Sequence, residues 1–592
     1  MKKRILFSGE ASFLNTGFST YYRELLPRLA ATGRFEIAEI GSYAISTDPR
    51  VHEFIKDRWK FYGVLPETEE EKQAFHDPRR QSPRCGGQNT WQFGHGRFDA
   101  VCADFKPDIV LDLRDNWMFT WIQDSPFRSY FKTLWLVCCD AEPQKEEWIN
   151  DYRTMDLVLA YSDFGVSTLK HYGGLKLYPK PMRPGVDLKT FIPRNKEELK
   201  AKWLGCKNDI KVILVAVRNQ ARKLFPDAID AFAIMKEKYK GNPIIDKSAL
   251  LLHSSWPDNA YSYDYPRHIE RMSNNWYGLE YYSKACRNSV LNTFLCHNCG
   301  HTFISYAINI HNKPVENRGM GLKIYIPCEK CGQNTATTPD TSTGYTREQL
   351  AEVFALSDIF AQVTICEGDG MSIQEAKACG TPTLVTDYSA MSEKGRFPSE
   401  YIHLKDVDPK NYTVNKGGDV IPIRSFYYEP ETSCKRAHPD VKALADLLFK
   451  YLTNDELREK MGEEARQCAE ENYDWDKLAK QWEYILDNVK PLDRSQTWDK
   501  PHEIIPQDPM IDPPEGLNDE EFIEFLYLNV LKYPRVDKNG MNQWVAFLKS
   551  GQTRQNLLNH FRAIRKRETD SSNAINRLLV GEEKKEGLGK II

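Results

Sequence analysis

Chemical capacity is most concentrated in the stretch EGDGMSIQE, Glu367–Glu375. Two glycines let the backbone turn tightly after a strand ending near Ile365, and Ser372 precedes an apolar-periodic segment where a helix is expected to start. The free N–H groups and positive dipole end of such a helix suit anionic or hydroxyl-rich ligands. Glu367 lies before the turn and Glu375 one turn into the helix, so both carboxylates can point into one cleft. A plainer reading stands beside this one: Ser372 and Glu375 also fit the S-x-x-E pattern of a capping box. The two roles do not exclude each other.

A second feature lies in VAVRNQARKLFPDAIDAF, where Arg218 and Lys223 follow a strand at R-x-x-x-x-K spacing. Two fixed cations at the carboxyl end of a strand suit a diphosphate leaving group, whose negative charge grows in the transition state. Cation pairs are common on surfaces. This pair gains meaning because the glycine turn sits at another strand end of the same expected domain. A third feature is Cys296-x-x-Cys299 with Cys328-x-x-Cys331, each second cysteine followed by glycine. That is zinc-ribbon spacing, and four thiolates close a tetrahedral structural zinc site with no open position for water. His297, His301 and His311 lie nearby, but the cysteine set suffices.

The elements that must position these groups read as two α/β domains in tandem. Apolar runs at 5–7, 108–113, 134–139 and 157–162 alternate with helical patterns, as do runs at 211–217, 249–255, 358–364 and 381–387. Buried parallel strands have this character. The expected division is a domain over 1–195 and a second over 196–438, with the ribbon at 292–338 inserted in the second as a stabilised protrusion. Closing helices follow at 439–490, then a proline-rich linker at 491–516, a helical module at 517–575 and a flexible tail at 576–592. Ligands of such sheets bind outside the carboxyl ends of the strands, here in a cleft between the domains.

The 592 residues are too many for one core, and the 41% hydrophobic content excludes wholesale disorder. Lys and Arg number 80 against 83 Asp and Glu, so the chain as a whole has no electrostatic reason to grip a polyanion. Basic residues gather locally at Arg79, Arg80, Arg84 and Arg97, and at Arg562, Arg565, Lys566 and Arg567. No run approaches the roughly 20 apolar residues of a membrane span, and MKKRILFSGE lacks the apolar core of a signal peptide. With 14 cysteines used singly or in C-x-x-C pairs, the expectation is a cytoplasmic protein, in a host cytoplasm if viral.

Taken together, Glu367 to Glu375 as an E-x7-E motif, Arg218 with Lys223, RPGVDLKTFIP at 183–193, NTGFSTYYRELLPRL at 15–29 and WDKLAKQW near the end of the closing helices resemble glycosyltransferase family 4. The resemblance spans roughly residues 1 to 490 apart from the ribbon. It implies an α/β GT-B fold, two Rossmann-like doubly wound domains facing a cleft, and transfer of a sugar from a nucleotide-sugar donor with the anomeric configuration kept. By it, Glu367 and the backbone of Gly368, Asp369, Gly370, Met371 and Ser372 hold the donor sugar, and Glu375 holds the ribose. Arg218 and Lys223 take the diphosphate, helped by the backbone at Gly17. The family's usual N-domain histidine is absent from LWLVCCDAEP, where Asp140 stands nearest. GT-B enzymes need no D-x-D metal, and Asp406-x-Asp408 reads as a loop, so no catalytic metal is expected. A double displacement through a carboxylate is the other retaining route.

The acceptor is expected on the N-terminal domain, where Asp112, Asp115, Trp117 and Trp121 offer a platform for a sugar or a base; the alternative is that the tryptophans are core. The N-terminal text also resembles glycosyltransferases of large bacteriophages and marine viruses. That implies a hydroxymethylated base in DNA, a virion protein or a polysaccharide as acceptor. The module after the linker resembles a short, uncharacterised helical family through Phe522, Tyr527, Asp537, Gly540, Trp544, Gly551 and Phe561.

Overall fold

The computed structural model describes residues 2–75, 81–82, 88–205, 209–258, 262–276, 283–319, 321–340, 344–395, 416–492, 498, 513, 516–531 and 538–564. In the N-terminal half, the strands are β1 (Lys3–Glu10), β2 (Phe35–Ser42), β3 (Lys60–Gly63), β4 (Ile109–Asp112), β5 (Lys132–Val137) and β6 (Leu157–Ala160). They form one parallel sheet in the order β3-β2-β1-β4-β5-β6. β4 and β5 are buried along almost their whole length, which is why they read as continuous apolar runs rather than alternating ones. The order reverses beside β1, and the first helix, α1 (Gly17–Ala31), begins there.

The second half repeats this plan. Its parallel strands are β7 (Val212–Ala216), β8 (Ala249–His253), β9 (Val290–Cys296), then β13 (Ile359–Gln362), β14 (Thr383–Thr386) and β15 (Gly418–Ile421), after three antiparallel strands β10 (Thr302–Tyr306), β11 (Ile326–Pro327) and β12 (Asn334–Thr337). The parallel order is β9-β8-β7-β13-β14-β15, again with the reversal beside the first strand. β9 pairs in parallel with β8 through Leu250↔Val290 and ends at Cys296, while its far part carries β10 and β12. The ribbon expected as a protrusion is therefore continuous with the central sheet. The reason is that the apolar strand before the first cysteine serves both.

Two crossings join the halves. The chain passes forward through Arg183–Pro193 and returns at Tyr473, where Val186 N–H donates to the Tyr473 carbonyl at 2.8 Å. A Cβ on Gly185 would stand 2.8 Å from that carbonyl oxygen, so only glycine permits the two crossings to touch. The last helix of this body, Trp475–Asn488, then packs on the N-terminal sheet through Trp475, Leu478, Trp482 and Leu486. Tyr21 lies edge-on to Trp475 at 5.1 Å and accepts a hydrogen bond from Trp482 Nε1 at 2.8 Å. Each aromatic buried this way contributes on the order of 3 kcal/mol.

Trp498, in the proline-rich linker, stacks on Phe127 of the N-terminal domain at 5.4 Å. Beyond it, residues 516–531 and 538–564 build a small helical core from Phe522, Ile523, Leu526, Leu557 and Phe561. Trp544 Nε1 donates to the Tyr527 hydroxyl at 3.2 Å within it. Asp537 and the tail from 576 lie outside the described residues, as do Arg79, Arg80, Arg84, Arg565, Lys566, Arg567, Asp406 and Asp408. No described helix is long and apolar enough to cross a membrane.

Candidate active site

The glycine turn lies at the carboxyl end of β13 and opens the helix α2 (Met371–Ala378). Gly370 occupies the N-cap position with φ +85°, and no side chain caps the helix. The capping-box alternative is thus corrected: Ser372 is already the second helical residue, because the left-handed glycine ends the turn one step earlier. The amide groups of Met371 and Ser372 are left facing outward at a positive helix end. Gly368 allows the turn to meet the opposite domain, since a Cβ there would overlap the Cys138 thiol.

Glu367 is 6% exposed and sits at the centre of a charge cluster. Lys223 pairs with its Oε1, Arg222 Nη1 with its Oε2 at 2.8 Å, and Gln362 Nε2 donates to it at 3.1 Å. Burial, together with neighbouring Arg222, pulls the Lys223 ammonium well below its usual pKa. Arg222 was not singled out by sequence, although it is adjacent to Lys223 in the triplet A-R-K. Arg218 instead forms a two-pronged pair with Asp258, Nη2 at 2.9 Å and Nε at 3.1 Å. Asp369 is also buried and anchors the turn through Lys394 and Gln374, the latter at 2.7 Å. Glu375 is half-buried; burial raises its carboxyl to about 7, against the pull of Arg347.

Across the cleft, the N-terminal sheet presents its own strand ends. A Cβ on Gly17 would meet nothing within 4 Å, so the start of α1 faces open space. Asp140, after β5, accepts from Arg436 Nη1 at 3.2 Å and from the Cys366 thiol at 3.2 Å, both from the other domain. Asp115 is half-buried beyond β4, and burial, with Asp140 adding, raises its carboxyl to about 6; Arg222 opposes the shift. Glu10, closing β1, is raised by burial and lowered in part by Thr16 and by Arg114 and Arg218. Electrostatic influence thus runs across the cleft from Arg218 to Glu10 and from Arg222 to Asp115.

Two acceptor-side expectations need correction. Asp112 is fully buried and bonded to Arg114 Nε at 3.1 Å, so it faces the sheet interior and no ligand. The cause is the bend after β4, which turns the Arg114 guanidinium back onto the last residue of the strand. Trp121 is core, 3% exposed and stacked on His95 at 5.3 Å. Trp117, by contrast, is half-buried and lies edge-on to Phe93 at 5.2 Å.

The four cysteines converge on one point. Their sulfurs all lie within 4.8 Å of one another, with Cys296–Cys331 at 3.7 Å and Cys299–Cys328 at 3.8 Å. A tetrahedral ion at about 2.3 Å from each sulfur gives edges of about 3.8 Å, so the cage has the dimensions of a metal site. Both knuckles are built alike. Gly300 N–H returns to the Cys296 carbonyl and Gly332 N–H to the Cys328 carbonyl, each at 2.9 Å, with φ of +68° and +71°. Glycine after each second cysteine is required by that turn.

Comparison with known proteins agrees with this geometry. Residues 341–394, which include the turn, Glu375 and Lys394, match the family described as glycosyl transferases group 1. Residues 514–563 match a domain of unknown function, DUF4214. No curated protein matches the chain. Among solved structures, sucrose-phosphate synthase from Thermosynechococcus elongatus superposes with TM-score 0.52 at 15% identity, covering 82% of this chain and 98% of that one. Anabaena HepE, solved with UDP and glucose, gives 0.50 at 12%, covering 82% and 100%. A UDP-forming trehalose-phosphate synthase from Burkholderia xenovorans gives 0.50 at 12%, covering 83% and 99%. The protein has a GT-B fold, and the segment matching glycosyl transferases group 1 carries the glycine turn and α2.

Proposed function

We propose that the protein is a retaining glycosyltransferase that moves a hexosyl or pentosyl group from a nucleoside-diphosphate sugar to an acceptor hydroxyl. The observation that carries this is Glu367, held by Arg222 and Lys223 beside the uncapped start of α2 and directly opposite the N-terminal strand ends. In this reading residues 196–438 bind the donor and 1–195 the acceptor. Arg218, Arg222 and Lys223 stabilise the diphosphate with Gly17, and the turn from Gly368 to Ser372 holds the sugar. Glu367 orients both cations and sugar hydroxyls, and Glu375 meets the ribose.

The acceptor oxygen bonds to the anomeric carbon on the face the diphosphate leaves. The old carbon–oxygen bond breaks, with its electron pair going to the diphosphate. The acceptor proton passes to the departing diphosphate, and Asp140 with Arg436 keeps the gap closed. Most of the rate then comes from positioning and from fixed positive charge. Assay of nucleoside diphosphate release from a panel of sugar nucleotides, beginning with the UDP-glucose that the HepE relative suggests, tests this. Release from none of them, with or without acceptor, overturns it.

The cysteine cage fits zinc in donor type and size, and we assign it a structural zinc held by Cys296, Cys299, Cys328 and Cys331. The ion closes both knuckles. Elemental analysis of the purified wild type is expected to read one zinc per chain, and Cys328→Ser is expected to lose that zinc and to lower the melting temperature. Full zinc content in that variant rejects the assignment. A DNA acceptor draws no support from the described basic residues: Arg97 is paired with Glu71 at 2.7 Å and Glu67 at 3.5 Å.

A further inference from the structure

The cleft wall on the N-terminal side is aromatic and acidic, and that combination selects a class of acceptor. Tyr43 follows β2 directly at its carboxyl end. Its φ of +62° is a left-handed conformation that an aromatic residue seldom adopts, and its ring is 37% exposed. The ring lies edge-on to Phe93 at 6.2 Å, and Phe93 in turn is edge-on to Trp117 at 5.2 Å. Two partly open rings therefore flank one buried ring.

Arg114, 1% exposed, fixes this arrangement from below. It donates to Ser42 Oγ at 2.9 Å, beside Tyr43, to the Phe93 carbonyl at 2.6 Å and to Ser8 Oγ at 2.7 Å. Its charge is spent on Asp112 and is shut away from the cleft. Carboxylates stand beside the platform: Glu10 is in register with Ser42, which precedes Tyr43, and Asp115 lies two residues before Trp117. The Tyr43 hydroxyl is held up to about 12 by burial and then by Glu10, with Asp115 adding and only Arg114 opposing. Arg218, Arg222 and Arg436 stand on the opposite wall and are paired with Asp258, Glu367, and Asp140 with Glu429.

Resting on the transferase reading above, we propose that Tyr43 and Trp117, with Glu10 and Asp115 beside them, bind a neutral carbohydrate as the acceptor. Sugar C–H faces stack on open aromatic rings, and sugar hydroxyls donate to carboxylates. A phosphodiester backbone needs free Lys and Arg instead, and the same carboxylates repel it. Tyr43 is thus a specificity-determining residue.

The test uses the full-length protein in two arms. Saturation-transfer NMR with maltose, cellobiose and lactose reads binding, and a duplex containing 5-hydroxymethylcytosine is the competing probe, read by fluorescence anisotropy. In the second arm, acceptor KM is measured with a working donor. Tyr43→Gly is the main variant because glycine adopts the native φ freely, so the backbone is not disturbed; Tyr43→Phe keeps the ring. Expected are saturation transfer from at least one disaccharide, a rise of ten-fold or more in its KM in Tyr43→Gly, confined to the saccharide and not the donor, and recovery in Tyr43→Phe. Sugar transfer to the duplex with silent saccharides, or an unchanged saccharide KM in Tyr43→Gly, overturns the proposal. Absence of donor turnover together with saccharide binding that Tyr43→Gly abolishes overturns the transferase reading but supports the platform.

Discussion

Lys223→Met is expected to lower donor turnover by about 10²–10³-fold, the loss seen when one preorganised group facing developing charge is removed. Methionine keeps the length and apolar stem, so the 3-10 turn Ala221–Lys223 and the left-handed Leu224 behind it should persist. What disappears is the buried cation on Glu367. Arg222 remains on the other carboxylate oxygen at 2.8 Å, so Glu367 is not left unpaired and the fold should hold. Arg222 is more open, with its side chain 39% exposed, and the corresponding Arg222→Met loss should be smaller. Steady-state release of nucleoside diphosphate, with a melting curve for each variant, separates chemistry from folding. A folded Lys223→Met enzyme with near wild-type turnover would remove Lys223 from the leaving-group role.

A second large effect is expected at Arg183, which lies between Asp163 of the N-terminal domain and Glu393 of the second domain. Glu393 also accepts from the backbone N–H groups of Phe164 at 2.8 Å and Asp163 at 3.3 Å. Both carboxylates are fully buried, and burial, with Asp163 adding, pushes Glu393 up to about 7. Arg183→Met should destabilise the protein by about 3–5 kcal/mol, because removing one partner leaves buried charge uncompensated. The sign of the pH dependence follows. A carboxyl raised in the folded state favours folding when protonated, so its penalty grows as pH climbs from the ordinary carboxylate value through about 7. The deficit should therefore be largest above pH 7 and shrink near pH 5. Denaturant unfolding at both values checks it, and an equal deficit at the two would refute the assignment to Glu393.

The legible and illegible parts of this molecule divide by physics. Buried parallel strands announce themselves as apolar runs, and the C-x-x-C-G spacing is legible because Gly300 and Gly332 must take positive φ. The glycine turn before α2 was legible for the same reason. Arg222 was hidden because spacing selects Arg218 and Lys223, while the direction each side chain takes is set by a 3-10 turn. Asp112 reads as cleft-facing from its place at a strand end, because spacing does not reveal that the bend after it folds Arg114 back as a buried counter-ion. Tyr43 carries no sequence mark at all, since its significance lies in a backbone angle. Nor does cysteine spacing reveal that β9 is shared between ribbon and sheet.

The two crossings between the halves, bonded to each other at Val186 and Tyr473, make the connection a pair of pins rather than a single tether. Twisting of one half against the other would shear that bond and drive Gly185 into its neighbour, whereas swinging about the line through both crossings would not. The pins thus favour that one swing as the motion open to the halves, and in the arrangement seen Gly368 meets Cys138 and Asp140 meets Arg436.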